Sequence, residues 1–141
     1  MNRKVFILKI LIDNLIVSIA MSITASLLAK VFDLYTLITI PFSFLISTLI
    51  SFIIPLGKIS NWFSSLFKIK INSFKSQLIG DLLTNLIMTS ILSLSCKLLI
   101  FNFNLKEALI VFINTYLVMY LVSYIVYESS NFITTYLFVN K

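Results

Sequence analysis

The chain reads as an all-α, polytopic membrane protein: four transmembrane helices arranged as two parallel two-helix repeats. Three observations predict this. Hydrophobic residues make up 60% of the 141 residues and charged residues only 11%, whereas a soluble domain carries about 25% charged residues. The apolar residues gather in four stretches, each near the roughly 20 residues a helix needs to cross the hydrocarbon core. The two halves of the chain also resemble each other. A single Cys excludes a disulfide-stapled secreted domain, and Gly 2 with Pro 2 exclude a collagenous or linker-like chain.

The first span is expected at about 10–30, where Ile10–Ala29 contains one charge, Asp13. It is too long for a signal-peptide core and no A-x-A site follows it. The second is expected at 35–56, inside the run Leu34–Gly57, which has no charged residue in 24 positions. Asp33 is placed to cap it. The third is expected at 79–100, with Lys97 the one charge in Leu82–Phe103. The fourth is expected at 107–127, inside the uncharged run Ala108–Tyr127, with Asn104-Leu105-Lys106-Glu107 at capping-box spacing before it.

Between spans two and three, Ile59, Trp62, Phe63, Leu66 and Phe67 fall on one helical face. Ser60, Asn61, Ser64, Ser65 and Lys68 fall mainly elsewhere. This segment, 59–71, reads either as an amphipathic helix on the cytoplasmic surface or as a continuation of span two past Pro55 and Gly57. The apolar tail Phe132–Val139 suits the interface as well.

The basic residues set the orientation. Arg3, Lys4, Lys9, Lys58, Lys68, Lys70, Lys75 and Lys141 lie on one side, against Lys30, Lys97 and Lys106 on the other. Eight against three predicts cytoplasmic termini and a cytoplasmic central loop. The net charge of +6 follows from this asymmetry and suits an anionic membrane surface. Nucleic acid is not an expected partner, because the basic residues are not grouped on a folded soluble surface. The expected partners are the lipid bilayer and a homo-oligomer or another membrane protein.

The repeat is legible in short matches. Asn14-Leu15-Ile16-Val17-Ser18 aligns with Asn85-Leu86-Ile87-Met88-Thr89, and Ser60-Asn61-Trp62 with Ser130-Asn131-Phe132. Asp13 and Asp81 both lie near the cytoplasmic starts of their spans, and Lys30 and Lys97 near the far ends. Each hairpin enters from the same side, so the repeats are parallel. The units are 1–71, a first helical hairpin with its amphipathic linker, and 72–141, a second hairpin, within a single membrane domain.

Asn14, Ser18, Met21 and Ser22 on the first span, with Pro55-Leu56-Gly57-Lys58 after the second, resemble the tandem two-helix bacterial membrane family called domain of unknown function twenty-seven ninety-eight. The resemblance covers roughly 10–135, and Tyr127-Glu128-Ser129-Ser130 departs from it by lacking Pro and a basic residue. It implies the duplicated hairpin in a small bacterial membrane protein and no particular activity. The heavy use of Ile, Asn, Lys, Phe and Leu suggests an A+T-rich bacterial genome.

Two polar stripes are the candidate sites. Asn14, Ser18, Ser22 and Ser26 recur every four residues on span one. Asp81, Asn85, Thr89, Ser93 and Lys97 do so on span three. Residues at i and i+4 share a helix face. The stripes read either as the surfaces by which spans one and three pack on each other, or as the lining of a solute or ion path with Asp81 and Lys97 at its ends. Helix dipoles account for Asp13 and Asp81 in first turns and for Lys30 and Lys97 in last turns, and Lys can snorkel to the headgroups. Ser43, Ser47 and Ser51 are expected to face the bundle. Tyr116, Tyr120 and Tyr124 are expected to face protein, either that serine face or a second copy, because buried hydroxyls seek partners.

No cofactor or metal is expected. The chain has no His, and Cys96 alone builds neither a thiolate site nor an internal disulfide. Two glycines cannot form a phosphate-binding loop. The five acidic residues are read as dispersed between opposite membrane ends. With no nucleophile and base in reach of each other, the expected function is non-enzymatic: a small inner-membrane protein acting through helix packing or association. The alternatives are a small transporter or channel subunit using the polar stripes, and a holin-like or immunity protein.

Overall fold

The computed structural model describes residues 3–28, 30, 34–70 and 73–138, without the side chains of 3 and 34–36. Asp33 and Lys141 lie outside the described residues. All regular structure among the described residues is helical: α1 (Arg3–Leu28), α2 (Leu34–Ile53), α3 (Leu56–Leu66), α4 (Phe74–Ile100) and α5 (Leu105–Phe138). Three of them, α1, α4 and α5, are long and apolar enough to cross a membrane. The bent pair α2–α3, kinked by 66°, brings the number to four if it is one broken span.

The helices outrun the expected spans at one end of the bundle. α1 begins seven positions before the expected start, since Lys and Arg are good helix formers. α5 runs to Phe138 as one helix of 34 residues, about 51 Å at 1.5 Å per residue, so most of the apolar tail is its last turns. The second half has no Pro after the hairpin turn, and nothing interrupts α5. The first half has Pro55, which cannot donate an N–H. There the chain breaks between α2 and α3, with the Leu56 N–H bonded to the Ile54 carbonyl at 2.8 Å. Ser73 starts α4 by accepting the Ser76 N–H at 3.1 Å. Asn104 precedes α5, with Oδ1 3.5 Å from the Glu107 N–H, at the long end for a hydrogen bond.

The interior is the reverse of a soluble protein's. Nine apolar side chains are buried among the described residues, against twenty polar or charged ones. Large apolar side chains such as Leu37, Ile53, Ile113, Leu117 and Ile125 point outward. Lipid is as apolar as these residues, so burying them would gain nothing, and small polar residues make the helix contacts instead. One apolar seam remains. Val17, Met21 and Ala25 of α1 pack on Leu92, Cys96 and Ile100 of α4, joined by Met119 of α5.

α3 packs with its polar face inward. Ser60 and Ser64 are buried against α4, while Trp62, Leu66 and Phe67 are each more than half exposed. The aromatic face therefore does not seat the helix on the protein. Gly80 makes the contact close: a Cβ there would lie 2.6 Å from the Ser60 carbonyl oxygen and 2.8 Å from Ser64 Oγ.

Candidate functional site

The α1 stripe faces α2. Asn14 and Ser51 exchange two hydrogen bonds, Nδ2 to Oγ at 3.1 Å and Oγ to Oδ1 at 3.3 Å. Ser18 meets Ser47 at 3.1 Å and Ser22 meets Ser43 at 2.9 Å. The antiparallel register then sets Ser26 opposite Thr39, both fully buried, and Ser26 Oγ has no hydrogen-bond partner. Ser43, Ser47 and Ser51 face the bundle as expected, with the α1 stripe as their partner.

The α4 stripe serves several neighbours. Asn85 and Ser123 of α5 repeat the reciprocal pair, at 3.0 and 3.2 Å, and Thr89 also bonds Ser123. Ser93 accepts from Lys97 Nζ at 3.0 Å. Lys97 is fully buried, which corrects the expectation that it snorkels. Its side chain follows the Cα–Cβ tilt toward the helix N-terminus, where the Ser93 hydroxyl waits one turn back. The expected stripe-to-stripe contact of α1 with α4 is likewise corrected. No hydrogen bond joins the two stripes among the described residues; the neighbouring apolar rows make that contact.

The tyrosine ladder of α5 faces protein, with the backbone of α4 as its partner rather than the serines of α2. Tyr116, Tyr120 and Tyr124 donate to the carbonyls of Leu86, Leu82 and Leu78 at 3.3, 3.1 and 3.3 Å. Tyr116 also meets Ser90 Oγ at 2.9 Å. Successive rings stack with centroids 6.4 Å apart.

At the end shared by the N-termini of α1 and α4, α3 and the C-terminus of α5, three of the five acidic residues collect, with Glu107 at the opposite end of α5. Asp13 accepts from Lys9 Nζ at 2.9 Å, from Ser130 Oγ at 2.5 Å and from Thr134 Oγ1 at 3.0 Å. Lys9 also reaches Asn131 Oδ1 at 2.5 Å. Asp81 accepts from Ser60 Oγ at 3.2 Å, and the Glu128 carboxyl is close enough to interact with it. Glu128 Oε1 is shielded from solvent and unpartnered. Among the described residues the salt bridge at this end is Lys9–Asp13, and Lys9 acts on Asp81 at longer range.

Two cavities open here. One of about 630 Å³ lies in the elbow between α2 and α3, and reaches Lys9, Asp13, Asn14 and Asn85. The other, of about 500 Å³, holds Asp81, Ser60 and Gln77. Both are walled by Leu56, Gly57, Thr84 and Tyr127. Sequence reading missed Lys9, Tyr127, Glu128, Ser130 and Thr134 as members of this cluster. The signal was present, since the Ser60-Asn61 and Ser130-Asn131 matches mark the two segments that meet the aspartates. No group of three or more His, Cys, Asp or Glu among the described residues is placed to hold a metal ion.

No protein-family model, curated protein or solved structure matches this chain.

Proposed function

We propose that the chain is a four-span protein of the bacterial cytoplasmic membrane, with both termini cytoplasmic, built from two parallel repeats and acting without catalysis through helix association. The pairing α1 with α2 and α4 with α5 makes two hairpins, each tied by a reciprocal Asn–Ser pair at its first polar rung. The hairpins then exchange contacts. Ser60 of the first bonds Asp81 of the second, and Ser130 of the second bonds Asp13 of the first. In this layout α2–α3 corresponds to α5, broken at Pro55 in one half and continuous in the other. It is the duplicated hairpin that the family resemblance implies. The bilayer is the surrounding partner, and the outward apolar side chains suit it.

The observation that carries the association reading is the satisfaction of the stripes. Asn14, Ser18, Ser22, Asn85 and Thr89 spend their hydrogen bonds on the facing helix of their own hairpin, as packing surfaces do. Mass photometry in nanodiscs, together with ion- and proton-flux dyes in liposomes, tests it. More than one copy per particle, or a stable membrane-protein complex, with no flux is the expected result. A strictly solitary monomer that conducts ions, with flux lost on Asp81→Asn, would replace association by transport.

A further inference from the structure

We propose that the two cavities at the α2–α3 elbow form one binding site for a lipophilic monocation, an organic cation whose single positive charge sits on an apolar body. The inference concerns binding and goes beyond the association reading.

The larger chamber, about 630 Å³, is walled mainly by apolar side chains, among them Phe6, Ile10, Val17, Ile54 and Met88. The smaller, about 500 Å³, mixes polar and apolar walls and holds Asp81. Each falls within the roughly 300–1,000 Å³ of small-molecule sites. Their shared wall includes Tyr127. An aromatic residue and a carboxylate lining one site are the chemistry that receives an organic cation. Gly57 belongs to the same wall, and a Cβ built on it meets nothing within 4 Å, so the backbone leaves the space open.

Charge decides the sign of the ligand. Lys9 is bound to Asp13, and those two charges cancel. Asp81 is 7% exposed, and its hydroxyl partners, Ser60 and Thr84, are neutral. Glu128 adds a second carboxyl beside it, with one oxygen shielded and unpartnered. Even with one proton held between the two carboxyls, the pair keeps one negative charge. A carboxylate within a membrane-spanning segment calls for a partner; Lys9 acts on Asp81 only through space while bound to Asp13, so one cation faces three carboxyls here. A metal ion would need more ligands than the two carboxyls and the hydroxyl present. The apolar chamber beside the carboxylate fits the body of an organic cation.

The test uses the full chain in nanodiscs and two ions of the same shape and opposite charge, tetraphenylphosphonium and tetraphenylborate, measured by equilibrium dialysis against empty nanodiscs. Saturable 1:1 binding of the phosphonium, with none of the borate, is expected. Asp81→Asn removes the charge, and Gly57→Phe fills the open wall of both chambers. Each should weaken phosphonium binding at least about tenfold, the scale of one lost charge-assisted contact. If Asp81→Asn fails to fold, Gly57→Phe carries the test alone, because its new side chain starts in empty space. Equal binding of both ions, absence of saturable phosphonium binding, or affinity unchanged by Gly57→Phe overturns the proposal.

Discussion

Asp13 of α1 receives the hydroxyl of Ser130 from α5 at 2.5 Å, across 117 positions of sequence. The contact closes the bundle, because it ties the first helix to the last. It also holds a carboxylate that Lys9 alone would leave with open lone pairs. Ser130→Ala should cost about 1–3 kcal/mol, the range for leaving a buried acceptor short of a donor. Asp13→Ala should cost about 3–5 kcal/mol, since it strands the partly buried Lys9. Denaturant titration in mixed micelles measures both. Equal effects of the two substitutions would show that the ion pair contributes nothing.

The stripes make a crosslinking prediction in a Cys96→Ser background. Paired Cys substitutions at Ser22 and Ser43 should crosslink readily, because their hydroxyls lie 2.9 Å apart. Pairs at Ser22 and Ser93 should not, since the two stripes face different neighbours. The reverse pattern would restore the contact expected from sequence.

Asn14→Ala and Asn85→Ala should have similar and small effects. Interhelical hydrogen bonds in membrane proteins contribute about 0.6 kcal/mol on average and about 1.7 at most. Ser22→Leu should do far more damage, because Ser22 is fully buried and a larger side chain forces two backbones apart. Elution as a monodisperse species separates the two classes.

Gly80→Ala should loosen α3 from α4, whereas Gly57→Ala should be tolerated. The first would place a methyl against Ser60 and Ser64, and the second meets open space. Overpacking of this kind costs about 1–3 kcal/mol. Trp62 is the one tryptophan of the chain and lies on the outward face of α3, so its fluorescence reports on α3 without a label. Brominated lipids should quench it in the parent protein, consistent with an aromatic face turned to the membrane. Emission typical of water and unaffected by brominated lipid would place that face in solvent.

Reporter fusions at Asp33, Ser73, Asn104 and Lys141 should read out, in, out, in, as the basic-residue asymmetry requires. A periplasmic signal at Lys141 would overturn the proposed orientation.

Composition and periodicity made the helical class and its positions along the chain legible, because hydrocarbon thickness constrains span length directly. The four-residue polar stripes were legible for the same reason. Their partners were not. An i, i+4 pattern fixes which residues share a face but not which helix that face meets, so Ser22 could be assigned to Ser93 as easily as to Ser43. The two faces of α3 were legible in the sequence, but which of them meets α4 was not. In lipid, Ser60 and Ser64 are the residues that pack and Trp62 is the one left outside. The acidic cluster was hidden because Asp13, Asp81 and Glu128 are far apart in sequence and meet only when α5 continues past its expected end.

The tyrosine ladder carries a mechanical consequence. Its acceptors are the carbonyls of Leu78, Leu82 and Leu86, one per helical turn, and each turn of a helix offers a carbonyl on that face. Sliding α5 along α4 by one turn, about 5.4 Å, would offer the hydroxyls the same kind of acceptor again. The ladder therefore resists separation of the two helices while remaining nearly indifferent to slippage between them. What distinguishes one setting from the next is the set of side-chain partners: Ser123 with Asn85 and Thr89, Tyr116 with Ser90, and Ser130 and Thr134 with Asp13. These side chains act together as the pawl of a ratchet whose teeth are the tyrosines.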